Sequence, residues 1–317
     1  MKKCLYCYKE LKNNEIDFHS ACSKKMFGTS LPPVLDFDNE HITEMARQIV
    51  VRSIAVTGVQ PKLSMQLQKQ SNQPPRLTLV GLFGDYILKP QSVEYKELPQ
   101  NEDLTMHLAE LAKIKTAKHT LIRLKSGDLA YITQRFDREK NKKIAMEDFC
   151  QLSENLTEHK YRSSVEKVGK ILLQYAENKG FEAQRLFELV LFNFLVGNAD
   201  MHLKNYALLK NPLGQYELSP AYDLLSTALV IPDDREESAL TLNGKKNKLT
   251  QNDFDILANS LKINEKSVQS IYKRFERILP KWEDFIRESF LSGTMQEAYI
   301  SLIKQKHQQI FTKKHDN

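Results

Sequence analysis

The chain has 317 residues, of which 41% are hydrophobic and 27% charged, so its composition is that of a globular protein and excludes wholesale disorder. This length is enough for one large domain or for two lobes with a core of ordinary size. The formal net charge of +6 at pH 7 permits an acidic partner, but the lysines are too scattered to indicate a nucleic-acid-binding surface.

The N-terminal segment, residues 1–30, contains two pairs of soft metal ligands. Cys4 and Cys7 are separated by two residues, as are His19 and Cys22. This spacing is typical of a zinc knuckle, in which Zn²⁺ would be structural, with no open position for chemistry. Two alternatives stay open: cysteines that only pack, and a redox pair.

The same segment also bears on the location of the protein. Its first eleven residues lack the apolar core of a signal peptide, and four cysteines in a chain of this size do not suggest a disulfide framework. The longest apolar run, at 186–197, is interrupted by Glu188 and Asn193, so it is not a membrane span. The sequence therefore predicts a cytoplasmic protein with no membrane contact.

A short helix is predicted over 41–49, followed by a turn and a strand. Residues 63–67 alternate between apolar and polar types, which favours a strand after the turn. Backbone N–H groups of such a turn could lie over the phosphates of a nucleotide, although a plain hairpin is the alternative. The residues at this turn are Gly58, Val59 and Gln60.

The next strand, residues 86–90, has a lysine near its end. Lys89 at the inner end of such a strand could reach the α- and β-phosphates of a nucleotide and be held by a carboxylate from a helix. The predicted helix over 101–114 offers two candidates for that carboxylate, Glu102 and Glu110, and the sequence does not choose between them.

The rest of the chain changes from strands to helices. Two more strands are predicted at 119–124 and 129–137, and residues 146–151 lead into helical sequence. We predict an α+β, two-lobed fold, with a strand-rich N-lobe over 41–146, a helical C-lobe over 147–317 and a nucleotide at their junction. Within the C-lobe, helices are predicted at 164–178, 181–197, 250–260, 264–279, 281–291 and 295–305.

The chemistry is predicted in the stretch from Asn193 to Ser226. Asp200 is followed five residues later by Asn205, and Asp223 comes 18 residues after that. An Asn, an Asp and the phosphates of a nucleotide suffice to hold Mg²⁺. The remaining carboxylate, Asp200, could act as the base that accepts the proton of a substrate hydroxyl.

Several motifs together resemble those of the HipA family of bacterial serine/threonine kinase toxins. They are TGVQPKLS (57–64), QRFDR (134–138), MEDFCQ (146–151), NADMHLKN (198–205), SPAYDLLS (219–226) and LNGK (242–245). The resemblance covers most of residues 50–260. The resemblance implies that most of a subdomain that precedes the Gly58 turn in HipA is missing here, and in this respect the chain is similar to the shorter HipT kinases.

The resemblance implies a protein-kinase-like fold and roles for individual residues. Asp200 would be the catalytic base, Asn205 and Asp223 the Mg²⁺ ligands, and Lys89 a contact to the phosphates of ATP. The remaining implied residues are Glu147 and Phe149, whose backbone groups would meet adenine, and His202 and Lys204, beside the transferring phosphate.

The resemblance also implies autophosphorylation. In this family, serines of the phosphate loop are phosphorylated, which ejects the loop and silences the kinase. The HipT-type pattern Ser-Ile-Ser here reads Ser53-Ile54-Ala55, so Ser53 is the retained acceptor. A phosphoserine adds about −1.5 to −2 charges where the phosphates of ATP must sit, and we expect it to block nucleotide binding.

Partners and substrates are implied in the same way. A toxin needs restraint, so a helix-turn-helix antitoxin of the HipB type is expected, together with a small HipS-like protein, and DNA contact only through the antitoxin. The expected substrate is an aminoacyl-tRNA synthetase. Two other hypotheses stand beside this one: a non-catalytic kinase-like module that binds DNA or a repressor, and a small-molecule or lipid kinase.

Overall fold

The computed structural model describes residues 2–35, 37, 62–69, 73–80, 84–139 and 142–312. The helix predicted over 41–49 and the turn around Gly58 lie outside the described residues. The chain divides into two compact units. The described parts of Met1–Leu104, Ala117–Asn141 and Glu288–Leu291 form the first unit, and those of Thr105–Thr116, Lys142–Arg287 and Ser292–Asn317 form the second.

A five-stranded antiparallel sheet is the centre of the first unit. Its strands are β1 (Leu63–Gln68), β2 (Arg76–Leu79), β3 (Tyr86–Lys89), β4 (His119–Arg123) and β5 (Leu129–Gln134). They pair in the order β2-β1-β3-β5-β4. In β1, Leu63 and Met65 are buried and Ser64 is half-buried, as the alternating sequence predicts. The strands predicted at 63–67, 86–90, 119–124 and 129–137 are confirmed.

The hydrophobic core of this unit joins the N-terminal segment to the sheet. Helix α1 (Ser20–Phe27) begins directly after His19. The buried side chains of the cluster are Cys4, Leu5, Tyr6, Phe18, Met26, Phe27, Leu35, Leu63, Met65, Leu77, Tyr86, Leu88, Leu121, Ile122, Leu124, Ala130 and Ile132. Six buried side chains of the N-terminal segment therefore belong to the same core as the sheet.

Helix α2 (Leu98–Leu111) lies three residues upstream of its predicted range of 101–114. It ends early because Lys113 adopts φ of 65°, in the left-handed region. The N–H of Ile114 donates to Ala109 O at 3.0 Å and the N–H of Lys113 to Glu110 O at 2.9 Å, which is the Schellman pattern of a helix C-terminus. A short strand, β6 (Arg138–Glu139), completes the first unit.

The second unit is mainly helical. Its strands are β7 (Lys142–Lys143), β8 (Met146–Asp148), β9 (Ala207–Lys210) and β10 (Tyr216–Leu218); its helices are α3 (Phe149–Leu152), α4 (Val165–Tyr175), α5 (Lys179–Leu195), α6 (Thr227–Val230), α7 (Gln251–Ser260), α8 (Glu265–Arg287) and α9 (Gly293–Phe311). Strands β10, β9 and β8 pair in that order. The strand-to-helix change predicted at 146–151 and the helices predicted at 164–178, 181–197, 250–260 and 295–305 are confirmed.

One boundary prediction is wrong. The sequence predicts separate helices at 264–279 and 281–291, but α8 continues through Pro280 and ends at Arg287. A proline inside a helix removes the hydrogen bond to the carbonyl four residues earlier, here that of Glu276. His307 Nε2 lies 3.0 Å from Glu276 O and replaces that bond. The apolar face of α8, which includes Phe275 and Trp282, is buried and stabilises the uninterrupted helix.

The LNGK motif, residues 242–245, forms a tight turn. Leu242 and Lys245 exchange both backbone hydrogen bonds, at 2.8 and 2.9 Å, and Asn243 and Gly244 between them have φ of 49° and 73°. The turn holds the buried carboxylate of Asp253, whose Oδ1 accepts from Asn243 Nδ2 and Lys245 Nζ, both at 2.8 Å. The motif is therefore a structural clamp on the first turn of α7.

No helix within the described residues combines the length and apolar character that a bilayer crossing requires.

The hydrogen bonds between the LNGK turn and Asp253 predict that the free energy of unfolding depends on pH. Burial alone would raise the pKa of Asp253, but hydrogen bonds from Lys245, Asn243 and Thr250 outweigh it and lower the pKa to about 2, from an ordinary value of 3.8. A lowered pKa contributes stability above the unfolded value, and this contribution is lost as the pH falls through the folded value. We expect Asp253→Asn to lower the free energy of unfolding by about 1–2 kcal/mol at pH 7.

Denaturant unfolding at pH 7, 4 and 3 tests this expectation. The deficit of Asp253→Asn should shrink as the pH falls below about 4. Asp284→Asn, at an exposed position of α8, is the control and should follow the wild type at each pH. A deficit that stays constant down to pH 3 would show that the carboxylate charge does not stabilise the turn.

Candidate active site

The loop that carries Asp200 begins at the end of a buried helix. Helix α5 ends at Leu195, and Gly197 then turns the chain with φ of 68°. A Cβ atom at this position would lie 2.8 Å from Leu302 Cδ2 and 3.1 Å from Ala228 Cβ. Only glycine fits both the left-handed conformation and the space, so the direction in which the chain leaves α5 is fixed.

A chain of buried carboxamides sets the position of Asp200. Asn193 Nδ2 donates to Leu189 O at 2.7 Å, and Asn198 Nδ2 donates to Asn193 Oδ1 at 2.8 Å. Asn198 Oδ1 in turn accepts from the N–H of Asp200 at 3.1 Å. Both asparagine side chains are buried, where an unmade hydrogen bond is costly. The loop therefore has one strongly preferred arrangement.

Asn205 closes the loop back onto Asp200. The carbonyl of Asp200 accepts from Asn205 Nδ2 at 3.1 Å and from the N–H of His202 at 2.8 Å. Asn205 is buried at the end of a single 3₁₀ turn, Leu203–Asn205. Since its amide nitrogen holds the loop, its Oδ1 is the atom that a metal ion could use.

Asp223 reaches the same neighbourhood from the segment after β10. It has φ of 59°, and the preceding Tyr222 donates its hydroxyl to Lys204 O at 2.7 Å, which ties this segment to the loop. The charges of Asp200 and Asp223 both act on the side chains of His202 and Tyr161. The structure thus brings together the three residues predicted from spacing.

Tyr161 is a site residue that sequence reasoning missed. Its hydroxyl donates to Asp200 Oδ1 at 2.7 Å, and its ring packs edge-on against His202, with centroids 5.1 Å apart. Burial, and then the hydrogen bond to Asp200, raise the pKa of Tyr161 above its ordinary value, so the phenol stays protonated and donates. No spacing rule links residue 161 to residue 200, and the sequence offers no signal for this contact.

His202 and Lys204 occupy different environments. His202 is buried, and burial lowers the pKa of its ring below the ordinary value despite the nearby carboxylate of Asp200, so the ring is neutral at pH 7. Its Nδ1 has no hydrogen-bond partner among the described residues. Lys204 is only half-buried, and its Nζ lies 3.5 Å from Thr157 Oγ1.

Lys89 forms a buried ion pair in the first unit. Its Nζ lies 2.6 Å from Glu102 Oε1, and both side chains are less than a tenth exposed. The same ammonium lies 5.6 Å from the centroid of the Tyr131 ring. Of the two candidate glutamates, Glu102 is therefore the partner of Lys89. Glu110 instead contacts His107 and Thr116.

The predicted adenine contacts lie on β8 and at the start of α3. Glu147 is exposed and pairs with Leu208 of β9. The N–H of Phe149 donates to Tyr206 O at 3.0 Å, and its carbonyl accepts from Ser153 N–H at 3.0 Å. A contact between adenine and the backbone of Phe149 stays a prediction; the N–H of Phe149 is already engaged, whereas its carbonyl can accept a second hydrogen bond. Ser53, Gly58, Val59 and Gln60 lie outside the described residues.

The four soft ligands of the N-terminal segment also come together. The ligand atoms of Cys4, Cys7, His19 and Cys22 all lie within 4.8 Å of one another. The fourth cysteine, Cys150, is buried in the second unit. The spacing predicted a knuckle, and these four side chains form a donor set suited to a tetrahedral metal ion.

Comparison with known proteins shows which family the chain is similar to. Residues 54–282 match the profile of the HipA-like C-terminal domain. A putative kinase of Sinorhizobium fredii, Y4dM, is 29% identical over 273 residues, which cover 81% of this chain and 64% of that protein. The serine/threonine-protein kinase toxin HipA of Shewanella oneidensis is 29% identical over 196 residues, which cover 55% of this chain and 43% of the toxin. The matches thus span less than two thirds of the length of each relative.

A solved structure supports the fold. The HipA of Shewanella oneidensis MR-1, in a complex with HipB and its operator DNA, matches with a TM-score of 0.68 at 19% sequence identity, over 87% of this chain and 71% of that chain. At this identity the likeness shows the fold alone. The predicted HipA-like α+β fold is confirmed.

The buried ion pair predicts a large effect on stability. Glu102→Gln removes the negative charge 2.6 Å from a buried ammonium, and we expect it to lower the free energy of unfolding by about 3–5 kcal/mol. The measurement is chemical denaturation at pH 7. Asp17→Asn is the control, because it breaks an exposed pair with Arg123 and should cost less than about 1 kcal/mol. Equal effects of the two substitutions would contradict the assignment of a buried pair.

Proposed function

This chain belongs to the HipA-like C-terminal domain family, and we propose that it is an ATP- and Mg²⁺-dependent serine/threonine protein kinase. The observation that carries the proposal is the loop in which Asp200 and Asn205 are fixed by buried hydrogen bonds beside Asp223. Two relatives, a putative kinase and a serine/threonine-protein kinase toxin, support phosphoryl transfer as the activity.

Asp200 is the proposed catalytic base. It accepts the proton of the substrate hydroxyl as the hydroxyl oxygen attacks the γ-phosphorus, and the bond to the β–γ bridging oxygen breaks with release of ADP. Its backbone position is fixed through Asn198, and one carboxylate oxygen is oriented by Tyr161. A base held in one orientation loses less entropy in the transition state than a mobile one.

Asn205 and Asp223 are the proposed ligands of Mg²⁺. Their oxygens suit this hard ion, which keeps several water ligands and is completed by phosphate oxygens. Bound Mg²⁺ supplies neutralisation of the charge on the transferring phosphoryl group. Asn205 Oδ1 is available for this role because Nδ2 already donates to Asp200 O.

Lys89 is proposed to contact the phosphates of ATP, in the orientation that Glu102 gives its ammonium group. The backbone of the turn at Gly58, Val59 and Gln60 would add N–H donors, and Glu147 and Phe149 would meet adenine. Lys204 would neutralise charge on the transferring phosphate, and His202 would pack beside it as a neutral ring.

The remaining proposals concern regulation and biology. We propose that the kinase autophosphorylates Ser53, which would place a doubly charged group near the phosphate site and silence it. We further propose a toxin of the HipT type, restrained by a HipB-like antitoxin and a small HipS-like protein, with an aminoacyl-tRNA synthetase as substrate. The support is that the HipA of Shewanella oneidensis MR-1 forms a complex with HipB and operator DNA.

Substitution of the base tests the activity. We expect Asp200→Asn to reduce transfer of labelled phosphate from ATP to protein in a bacterial lysate by at least about 1,000-fold, because an amide cannot accept the proton. Thermal unfolding should be unchanged, since the isosteric amide still accepts the hydrogen bond of Tyr161. Expression of the wild type, but not of the variant, should arrest growth.

The control for this experiment is Glu158→Gln, at an exposed position, which should keep full activity. Inositides incubated in parallel distinguish a lipid kinase, which would label lipid and no protein. Persistent protein labelling by Asp200→Asn would contradict the proposed role of the carboxylate. An absence of labelling by the wild type with either substrate would favour the non-catalytic module.

Tyr161→Phe tests the orientation of the base. The change keeps the ring against His202 and removes only the hydroxyl that donates to Asp200, so we expect kcat to fall about tenfold with little change in KM for ATP. Tyr175→Phe, at an exposed position on α4, is the matched control. An unchanged kcat would show that the hydrogen bond does not orient the base.

A further inference from the structure

The geometry of the cysteine and histidine cluster matches that of a tetrahedral zinc site. His19 Nδ1 lies 3.4 Å from Cys7 Sγ and 3.8 Å from Cys22 Sγ. Zinc–sulfur bonds of about 2.3 Å and zinc–nitrogen bonds of about 2.0 Å, at tetrahedral angles, place neighbouring ligand atoms about 3.5–3.8 Å apart. Cys7 and Cys22 are only half-buried, so packing alone does not account for the convergence of all four residues.

The surroundings orient these ligands as in a metal site. His19 Nε2 lies 3.0 Å from Glu10 O, so the ring donates there and directs Nδ1 toward the sulfur atoms. This pairing of a ligating histidine with a backbone carbonyl is common around bound metals. The N–H of His19 donates to Cys4 Sγ at 3.4 Å. A redox pair would need only Cys4 and Cys7, and this arrangement uses all four side chains.

The backbone around the first cysteine pair forms a knuckle. Tyr8 N–H donates to Cys4 O at 2.9 Å, and Cys4 N–H donates to Lys9 O at 2.8 Å. Tyr8 adopts φ of 63°, a conformation that is unfavourable for a tyrosine and needs support from its surroundings. Its position next to Cys7 allows a metal ion to supply part of that support.

Tyr8 connects the knuckle to helix α2. Its side chain is 2% exposed, and its hydroxyl donates to Asp103 Oδ2 at 2.7 Å. Asp103 Oδ1 also lies 2.6 Å from His119 Nδ1 on β4. Asp103 follows Glu102, the partner of Lys89. Buried hydrogen bonds of this kind fix both the rotation of a helix about its axis and its position along that axis.

We propose that Cys4, Cys7, His19 and Cys22 bind one structural Zn²⁺, and that this ion, through Tyr8 and Asp103, holds α2 in the orientation in which Glu102 meets Lys89. The metal site and the brace are properties of the first unit alone. Only the consequence for ATP binding rests on the proposed kinase function.

Metal content is the first test. The full-length wild type, purified without chelator, should contain about one zinc per chain by mass spectrometry, and so should Cys150→Ser, whose cysteine lies outside the cluster. The double variant Cys7→Ser/Cys22→Ser should retain less than a tenth of that amount. Wild-type protein that neither contains zinc nor takes up added Zn²⁺ in competition with a chromogenic chelator would overturn the proposal.

Hydrogen exchange is the second test and needs no phosphoryl transfer. Tyr8→Phe should keep its zinc, yet the amides of residues 101–104 should exchange at least about tenfold faster than in the wild type. Removal of zinc from the wild type by a chelator should produce the same change. This arm gives a result even if the double variant Cys7→Ser/Cys22→Ser does not fold. Tyr175→Phe is the control and should leave exchange unchanged.

If the protein binds zinc but exchange over residues 101–104 is unchanged in both Tyr8→Phe and the chelated wild type, the proposed role of Tyr8 and Asp103 is wrong. A protein that shows zinc and the exchange response but no kinase activity would contradict the proposed function alone.

Discussion

The buried pair of Lys89 and Glu102 is the interaction on which the organisation of the first unit depends. Two charges removed from water cost several kcal/mol each, and their attraction repays this only when the geometry is held closely. Strand β3 and helix α2 must therefore keep a fixed register to each other. The Asp103 carboxylate, between the Tyr8 hydroxyl and the His119 ring, supplies that register one residue away from the pair.

The second unit positions its charged groups by a different means. Two neutral carboxamides, those of Asn193 and Asn198, connect the loop to helix α5 by hydrogen bonds. Gly197, in the left-handed conformation, sets the direction of the loop. Neutral groups suit this task because they fix the backbone of Asp200 without adding charge near its carboxylate. The charged side chains of this loop are therefore those proposed to act on the metal ion and the phosphates.

Local patterns predicted much of this architecture. Alternation at 63–67 and the spacing of Asp200, Asn205 and Asp223 each reflect contacts between residues that are near in sequence or in one motif. Prediction from the sequence failed where the structure is determined by a contact between residues far apart in the chain. Continuation of α8 through Pro280 depends on His307, the choice of Glu102 over Glu110 depends on which face of α2 meets β3, and the contact of Tyr161 with Asp200 follows no spacing rule.

Under the kinase activity proposed above, the position of Tyr161 has a consequence for whether an alcohol or water attacks the nucleotide. A carboxylate that already accepts a phenol on one oxygen presents the other oxygen in a single direction. A serine or threonine hydroxyl held by the rest of its protein can be aligned with that direction, whereas a diffusing water molecule has no such alignment. With 42% of its surface exposed, the tyrosine lies where an incoming polypeptide can reach it, so the resting site would discourage wasteful hydrolysis of the nucleotide.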